Sequence, residues 1–269
     1  MSTLEILQSL PEIRMGIEAV LFDFDGTIST LRQGWETVMQ PLMIEMISGP
    51  HPPDDNLVRE VDEYIDESTG IQTIFQMQWL AEAVKRYRRN PEVRDPWWYK
   101  AEYNRRLMNM IENRIKALVE GSSRPEDYMI CGVKDFLEAL CERGIKLFVA
   151  SGTDHPDVVR EVKALGLYHY FAEIAGAPLG RASCSKEWVL RKLIDQHGFR
   201  GHQLLVVGDG KVEIGLGREA GAVTLGAATD EVGRRGVNEV KRRRLIKAGA
   251  HAIVGDFLCY ERILEWLGI

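Results

Sequence analysis

The chain has 269 residues, with 34 basic against 40 acidic side chains and a formal charge of −6. Its 45% hydrophobic and 28% charged residues exclude a wholly disordered chain. The mild acidity argues against nucleic acid as a partner of the whole surface, and no stretch approaches the roughly 20 apolar residues of a membrane span. The length suits one core domain carrying a smaller insertion.

Met1 to Met15 lacks a basic leader followed by an apolar run, so it does not read as a secretory signal. Cys131, Cys141, Cys184 and Cys259 are scattered and form no CxxC pair. They read as small buried residues of a cytoplasmic protein rather than as a zinc site.

The first element is the apolar run Ala19-Val20-Leu21-Phe22, which ends in Asp23-Phe24-Asp25-Gly26-Thr27. It reads as a buried strand feeding a loop. Residues 31–128 lack such runs. Ile71, Ile74, Phe75, Trp79, Val84 and Tyr87 share one helical face, as do Leu107, Ile111, Ile115 and Leu118. Ser48 to Asp55 and Asn90 to Pro96 break this block into helices. It is expected to be an all-helical insertion, between core segments 1–30 and 129–269.

From about 131 the texture alternates. A helix from Val133 to Arg143 is expected to end at Gly144, and a strand follows at 146–150. Next come a helix at 156–164, a weak strand at 172–175, a helix from Lys186 to His197 and a strand at 204–207. A helix at 212–220, strands at 222–225 and 251–254, and a helix at 257–267 complete the set. Strands alternating with helices predict an α/β fold, a doubly wound parallel (Rossmann-like) sheet. In such sheets ligands bind beyond the carboxyl ends of the strands.

Three strand ends carry polar loops. Asp23 and Asp25 lie two residues apart at the first. Two like charges that close need a cation or a shared proton, and a hard divalent ion held by oxygen is the natural compensation. An Asp/Gly turn would be the plain reading of this loop alone. Ser151-Gly152-Thr153 at the second offers a hydroxyl and backbone amides to phosphate oxygens, although Asp154 and Pro156 also suit a simple helix start. Gly208-Asp209-Gly210 at the third adds a carboxylate, and Glu213 follows one turn on. Lys186 opens a helix, after Ser183 or Ser185 as candidate caps. A cation there is disfavoured by the helix dipole, which supports a role facing an anion.

These residues, in this order, resemble the haloacid dehalogenase-like superfamily, in its helical-cap phosphatase branch of the phosphoglycolate phosphatase type. The resemblance is carried by Val20 to Thr27, Val149 to Gly152, Lys186, and Val207 to Gly210 with Glu213. Gly132 to Leu140 and Glu219 to Val223 add to it. It implies Asp23 as the nucleophile that forms an aspartyl-phosphate and Asp25 as general acid and base. Ser151, Gly152 and Lys186 would bind the phosphoryl group, with Thr27 orienting the loop. Mg²⁺ would be held by Asp23, the Asp25 backbone carbonyl and Asp209, with Glu213 as a further acidic residue. The implied partner is a small phosphorylated metabolite.

A sugar-phosphate mutase on the same core is the enzymatic rival. Phosphonate hydrolysis would need a cap lysine such as Lys85, Lys100 or Lys116, none of which is marked by its surroundings. A nucleic-acid role would use Lys85 to Arg89, Trp97 to Tyr99, Arg105-Arg106 and Lys241 to Arg244. Nearby acids at Asp62, Glu63, Asp66 and Glu67 favour solvated, paired helix faces instead. Arg94, Trp97, Trp98 and Arg105 are candidate pocket residues. The polar segment Thr229 to Arg244 is a flap near the site or a surface excursion.

Overall fold

The computed structural model describes residues 4–10, 16–182, 185–196 and 198–269, with Ser185 described by its backbone alone. Cys184, the candidate cap Ser183, the Ser185 side chain and the expected helix end at His197 fall outside the described residues, as does most of the Met1 to Met15 segment.

Seven strands form one sheet: β1 (Leu4–Ile6), β2 (Ala19–Phe22), β3 (Lys146–Asp154), β4 (Phe171–Ala177), β5 (Leu204–Gly208), β6 (Val223–Ala227) and β7 (Ala252–Val254). Their order is β1-β7-β6-β5-β2-β3-β4. All neighbours run parallel except β1, which pairs antiparallel with β7 at the edge.

Alternation along each strand explains the two layers of helices. Val20 and Phe22 face one side, with α5 (Val133–Glu142), α6 (His155–Ala164) and α10 (Tyr260–Leu267). Ala19 and Leu21 face the other, where α7 (Ser185–Asp195) packs. On that second side α8 (Lys211–Glu219) and α9 (Glu239–Lys247) contribute Ile214 and Leu245 beside Ile253. The sheet is therefore doubly wound, as the sequence predicts.

Between β2 and α5 come four helices: α1 (Glu36–Ser48), α2 (Asp55–Glu67), α3 (Thr73–Tyr87) and α4 (Pro96–Val119). They share a buried cluster of their own, built from residues such as Leu42, Val61, Leu80, Val84, Leu107 and Ile111. Both expected breaks are present. The side chain of Asp95 caps α4 by accepting from the amides of Trp97 and Trp98, and Pro96 opens the helix.

Two expectations need correction. Ile71 does not share the helix with Val84, because Ser68 to Gln72 is a loop between α2 and α3. Cys131 and Cys259 are only half-buried and Cys141 is exposed, all with free thiols. Of the two readings of Thr229 to Arg244, the one near the strand ends holds: Glu231 and Lys241 lie beside Asp209, and the segment's last residues enter α9. Among the described residues no helix is long and apolar enough to cross a membrane.

Candidate active site

Register brings the three loops together. Phe22 lies opposite both Val149 and Val207. One residue further on, the amide of Asp23 donates to the Val207 carbonyl at 2.9 Å. Asp23, Ser151 and Asp209 therefore emerge at the same end of adjacent strands, at the point where the sheet's winding reverses. Gly26, at φ +75°, makes the turn that folds the first loop back against Asp209.

Asp23, Asp209 and Glu213 are buried, and each places a carboxylate oxygen within 4.8 Å of the others. The Lys186 ammonium lies 2.9 Å from Asp23 Oδ1 and 2.8 Å from Glu213 Oε2. The other Glu213 oxygen accepts the Gly210 amide, so Glu213 caps α8 while holding the lysine. Burial pushes the Asp23 carboxyl well above the usual range; Lys186 opposes this, and Glu213, Asp209 and Asp25 add to it. Burial alone would lower the Lys186 pKa, but Asp23 and Glu213 hold it above the ordinary lysine value.

Asp25 is held on one side only. Its Oδ2 accepts from Ser151 Oγ at 3.1 Å and Thr153 Oγ1 at 2.9 Å. Its Oδ1 is buried without a hydrogen-bond partner among the described residues. The Arg32 guanidinium approaches that oxygen at 3.8 Å. Arg32 is fastened from behind by Glu161 of α6, which receives its Nε at 3.1 Å and its Nη2 at 2.6 Å. Burial pushes the Glu161 carboxyl up to about 7, against the pull of Arg32.

Asp23, Asp25, Arg32, Thr153 and Lys186 line a cavity of ≈ 90 Å³ roofed by the helical layer, with Glu213 and Glu161 set behind its wall. Thr69, Gly70 and Ile71 of the α2–α3 loop form the roof, with Tyr103 and Leu107 of α4. The roof is close: a Cβ on Gly152 would stand 2.8 Å from the Ile71 carbonyl oxygen. A second cavity of ≈ 410 Å³ adjoins it between α1, α2 and α9, sharing Trp35, Thr69, Asp209 and Glu231.

Asp23, Asp25, Ser151, Gly152, Lys186 and Asp209 all line the smaller cavity. Thr27 does not. It is fully buried behind the loop, and its hydroxyl has no partner among the described residues. Asp154 does not cap α6; it pairs with Lys100 and accepts from Asn104 at 3.2 Å. Of the other cap lysines, Lys85 and Lys116 are exposed.

Arg94, Trp97, Trp98 and Arg105 do not line the cavity. Trp97 and Trp98 are exposed, and Arg94 lies over the Trp98 ring. The basic run at and just beyond the end of α3 is paired, Lys85 with Glu82, Arg86 with Glu60 and Arg89 with Asp54. The sequence reading missed Arg32, Glu231 and the site role of Lys241, and although it placed Thr153 in the second polar loop it did not foresee that residue's bond to Asp25.

The donor set fits a divalent cation. Asp23, Asp209 and Glu213 are buried carboxylates whose oxygens lie within 4.8 Å of one another, and all three are hard oxygen donors.

A parallel sheet with carboxylates gathered beyond its strand ends, under a helical roof, is a Rossmann-like core with a candidate site at its switch point. A model of the haloacid dehalogenase-like hydrolase family matches residues 17–221, and the chain belongs to that family. It is 27% identical over 196 residues to a 5'-nucleotidase of Pseudomonas aeruginosa, covering 71% of this chain and 73% of that protein. It is 32% identical over 89 residues to a phosphoglycolate phosphatase of Aliivibrio fischeri, covering 33% of this chain and only 39% of that protein's length. Among solved structures it resembles one described as a predicted phosphoglycolate phosphatase from Haemophilus somnus. There the TM-score is 0.62 at 19% identity, over 92% of this chain and 97% of that one. A phosphonoacetaldehyde hydrolase-like protein from Oleispira antarctica gives a TM-score of 0.64 at 15% identity, over 97% and 96%. At these identities the structural likeness is one of fold.

Proposed function

We propose that the chain is a Mg²⁺-dependent, cytoplasmic phosphatase that hydrolyses a small phosphomonoester through an aspartyl-phosphate. In this reading residues 31–128 are a cap over a core made of 1–30 and 129–269. The carrying observation is the setting of Asp25: Ser151 and Thr153 donate to one of its oxygens, Arg32 lies 3.8 Å from the other, and the residue lines the same cavity as Asp23 and Lys186. A general acid needs a carboxyl beside the group that is attacked.

In the first half-reaction an Asp23 oxygen attacks phosphorus, and the bond from phosphorus to the leaving oxygen breaks. Asp25 gives its proton to that oxygen, and the alcohol departs. In the second half Asp25 takes a proton from water, whose oxygen attacks phosphorus. The Asp23–phosphorus bond breaks, releasing phosphate and restoring both carboxyl groups. Lys186, Ser151 and the Gly152 backbone hold the phosphoryl oxygens. Such transfer depends on positioning and charge neutralisation. Asp23, Asp209 and the Asp25 carbonyl would hold Mg²⁺, with Glu213 beside them, and the ion would supply charge neutralisation at the phosphoryl group.

The cavity under Gly70 and Ile71, with the larger one beside it, supports a small phosphorylated metabolite and a cap that excludes water when seated. The names of the similar proteins suggest phosphoglycolate and nucleoside 5'-monophosphates as the first substrates to try. Free thiols at Cys131, Cys141 and Cys259 suit a reducing compartment. The test is phosphate release with Mg²⁺ across those substrates and sugar phosphates. Release without isomer formation is expected. Isomer formation without release would replace this reading with the mutase.

A further inference from the structure

The basic run Lys241 to Arg244 was read from sequence as a solvated face, yet two of its residues turn inward. The Asn238 side chain caps α9, accepting from the amides of Val240 and Lys241 at 3.0 and 3.1 Å. Lys241 thus sits in the first turn, where a cation is disfavoured by the helix dipole. It is nonetheless largely buried. Its ammonium lies 2.6 Å from Asp209 Oδ2, and Glu231 Oε1 holds it from the other side. One turn on, Arg244 Nη2 donates to the Asp209 carbonyl at 3.2 Å, and its Nη1 reaches Asp66 of α2 at 3.2 Å. The helix therefore grips Asp209 by both side chain and main chain.

A carboxylate that binds a metal through one oxygen commonly has its other oxygen fixed by a neighbouring group. Lys241 does this for Asp209, but with a full positive charge. Two effects follow. The ion pair orients the ligand, and the charge opposes the arrival of a second cation at the same carboxylate. In a buried site that repulsion is strong. Glu231 offsets part of it.

We propose that Lys241 is a positioning residue of the metal site, which competes with the divalent cation for Asp209 and so sets how tightly the ion is held. This rests on the reading of Asp23 and Asp209 as cation ligands. A purely structural ion pair would leave metal affinity unchanged.

The experiment is calorimetric titration of MgCl₂ into the metal-stripped full chain, with no substrate. Lys241→Met should lower the Kd ~tenfold or more, and Glu231→Gln should raise it. Lys241→Arg, which keeps the charge, should stay near wild type. An unchanged or weaker Kd in Lys241→Met overturns the proposal. Should that variant fail to fold, an unchanged or lower Kd in Glu231→Gln overturns it equally. A wild-type chain that takes up no Mg²⁺ overturns the cation reading itself, and Lys241's role falls with it.

Discussion

The ammonium of Lys186 lies 2.9 Å from Oδ1 of Asp23, buried beneath the α2–α3 loop. The pair is not isolated, because Glu213 holds the same ammonium at 2.8 Å. Replacing Asp23 therefore leaves the lysine with a partner. Asp23→Asn is expected to lower kcat towards an aryl phosphate at least about 10³-fold. The thermal midpoint should move little, since a buried carboxylate with a raised pKa is no large source of stability. Steady-state kinetics and a circular-dichroism melt check both parts. Undiminished turnover would sink the mechanism.

Asp25→Asn keeps the side chain's shape and its contacts with Ser151 and Thr153, but it cannot deliver the proton. Loss of activity should track the leaving group. An alkyl phosphate should suffer about 10²-fold or more, and a nitrophenyl ester markedly less. Equal losses for both esters would remove Asp25 from the role of general acid.

Gly152→Ala tests the seating of the cap. The new methyl group would stand 2.8 Å from the Ile71 carbonyl oxygen, a backbone atom with little freedom to retreat. The α2–α3 loop is expected to lift, lowering kcat/KM about tenfold or more while stability changes by about 1 kcal/mol or less. Slower proteolysis of the loop in the variant would contradict a lifted cap.

His251 gives a pH dependence away from the site. Burial pushes its imidazole down to about 4 from the usual 6.5, and the Arg218 charge adds to the effect. The folded chain therefore needs the neutral ring. The stability tied to this is complete above pH 6.5 and is lost as pH falls from 6.5 towards 4. Urea midpoints at pH 7 and pH 5 should differ more in the wild type than in His251→Asn. An equal difference would rule out His251 as the source.

The strands and their polar ends were legible because each lies in one short stretch of chain. Ala19 to Asp25 announces a strand and its loop by local residue order alone, and so does Leu204 to Asp209. β1 was not legible, since three residues show no period and their pairing depends on β7, some 250 positions away. α9 was equally hidden. Of its residues only Leu245 is buried, so the stretch carries no amphipathic signal. The Arg32–Glu161 and Lys241–Asp209 pairs join residues far apart in sequence, and no spacing announces them. Trp97 and Trp98 misled in the opposite direction. Aromatic residues beside arginines look like a pocket wall, but these two cover the outside of α4.

Glu5 of β1 receives Arg242 through two hydrogen bonds, at 2.5 and 2.7 Å. Arg242 is the neighbour of Lys241. The outermost strand thus anchors the helix whose lysine rests on Asp209. Trimming β1, or threading an affinity tag into it, then acts on the surroundings of Asp209 and not only on a sheet edge. Under the proposed cation site, preparations that differ only there are expected to differ in their Kd for Mg²⁺.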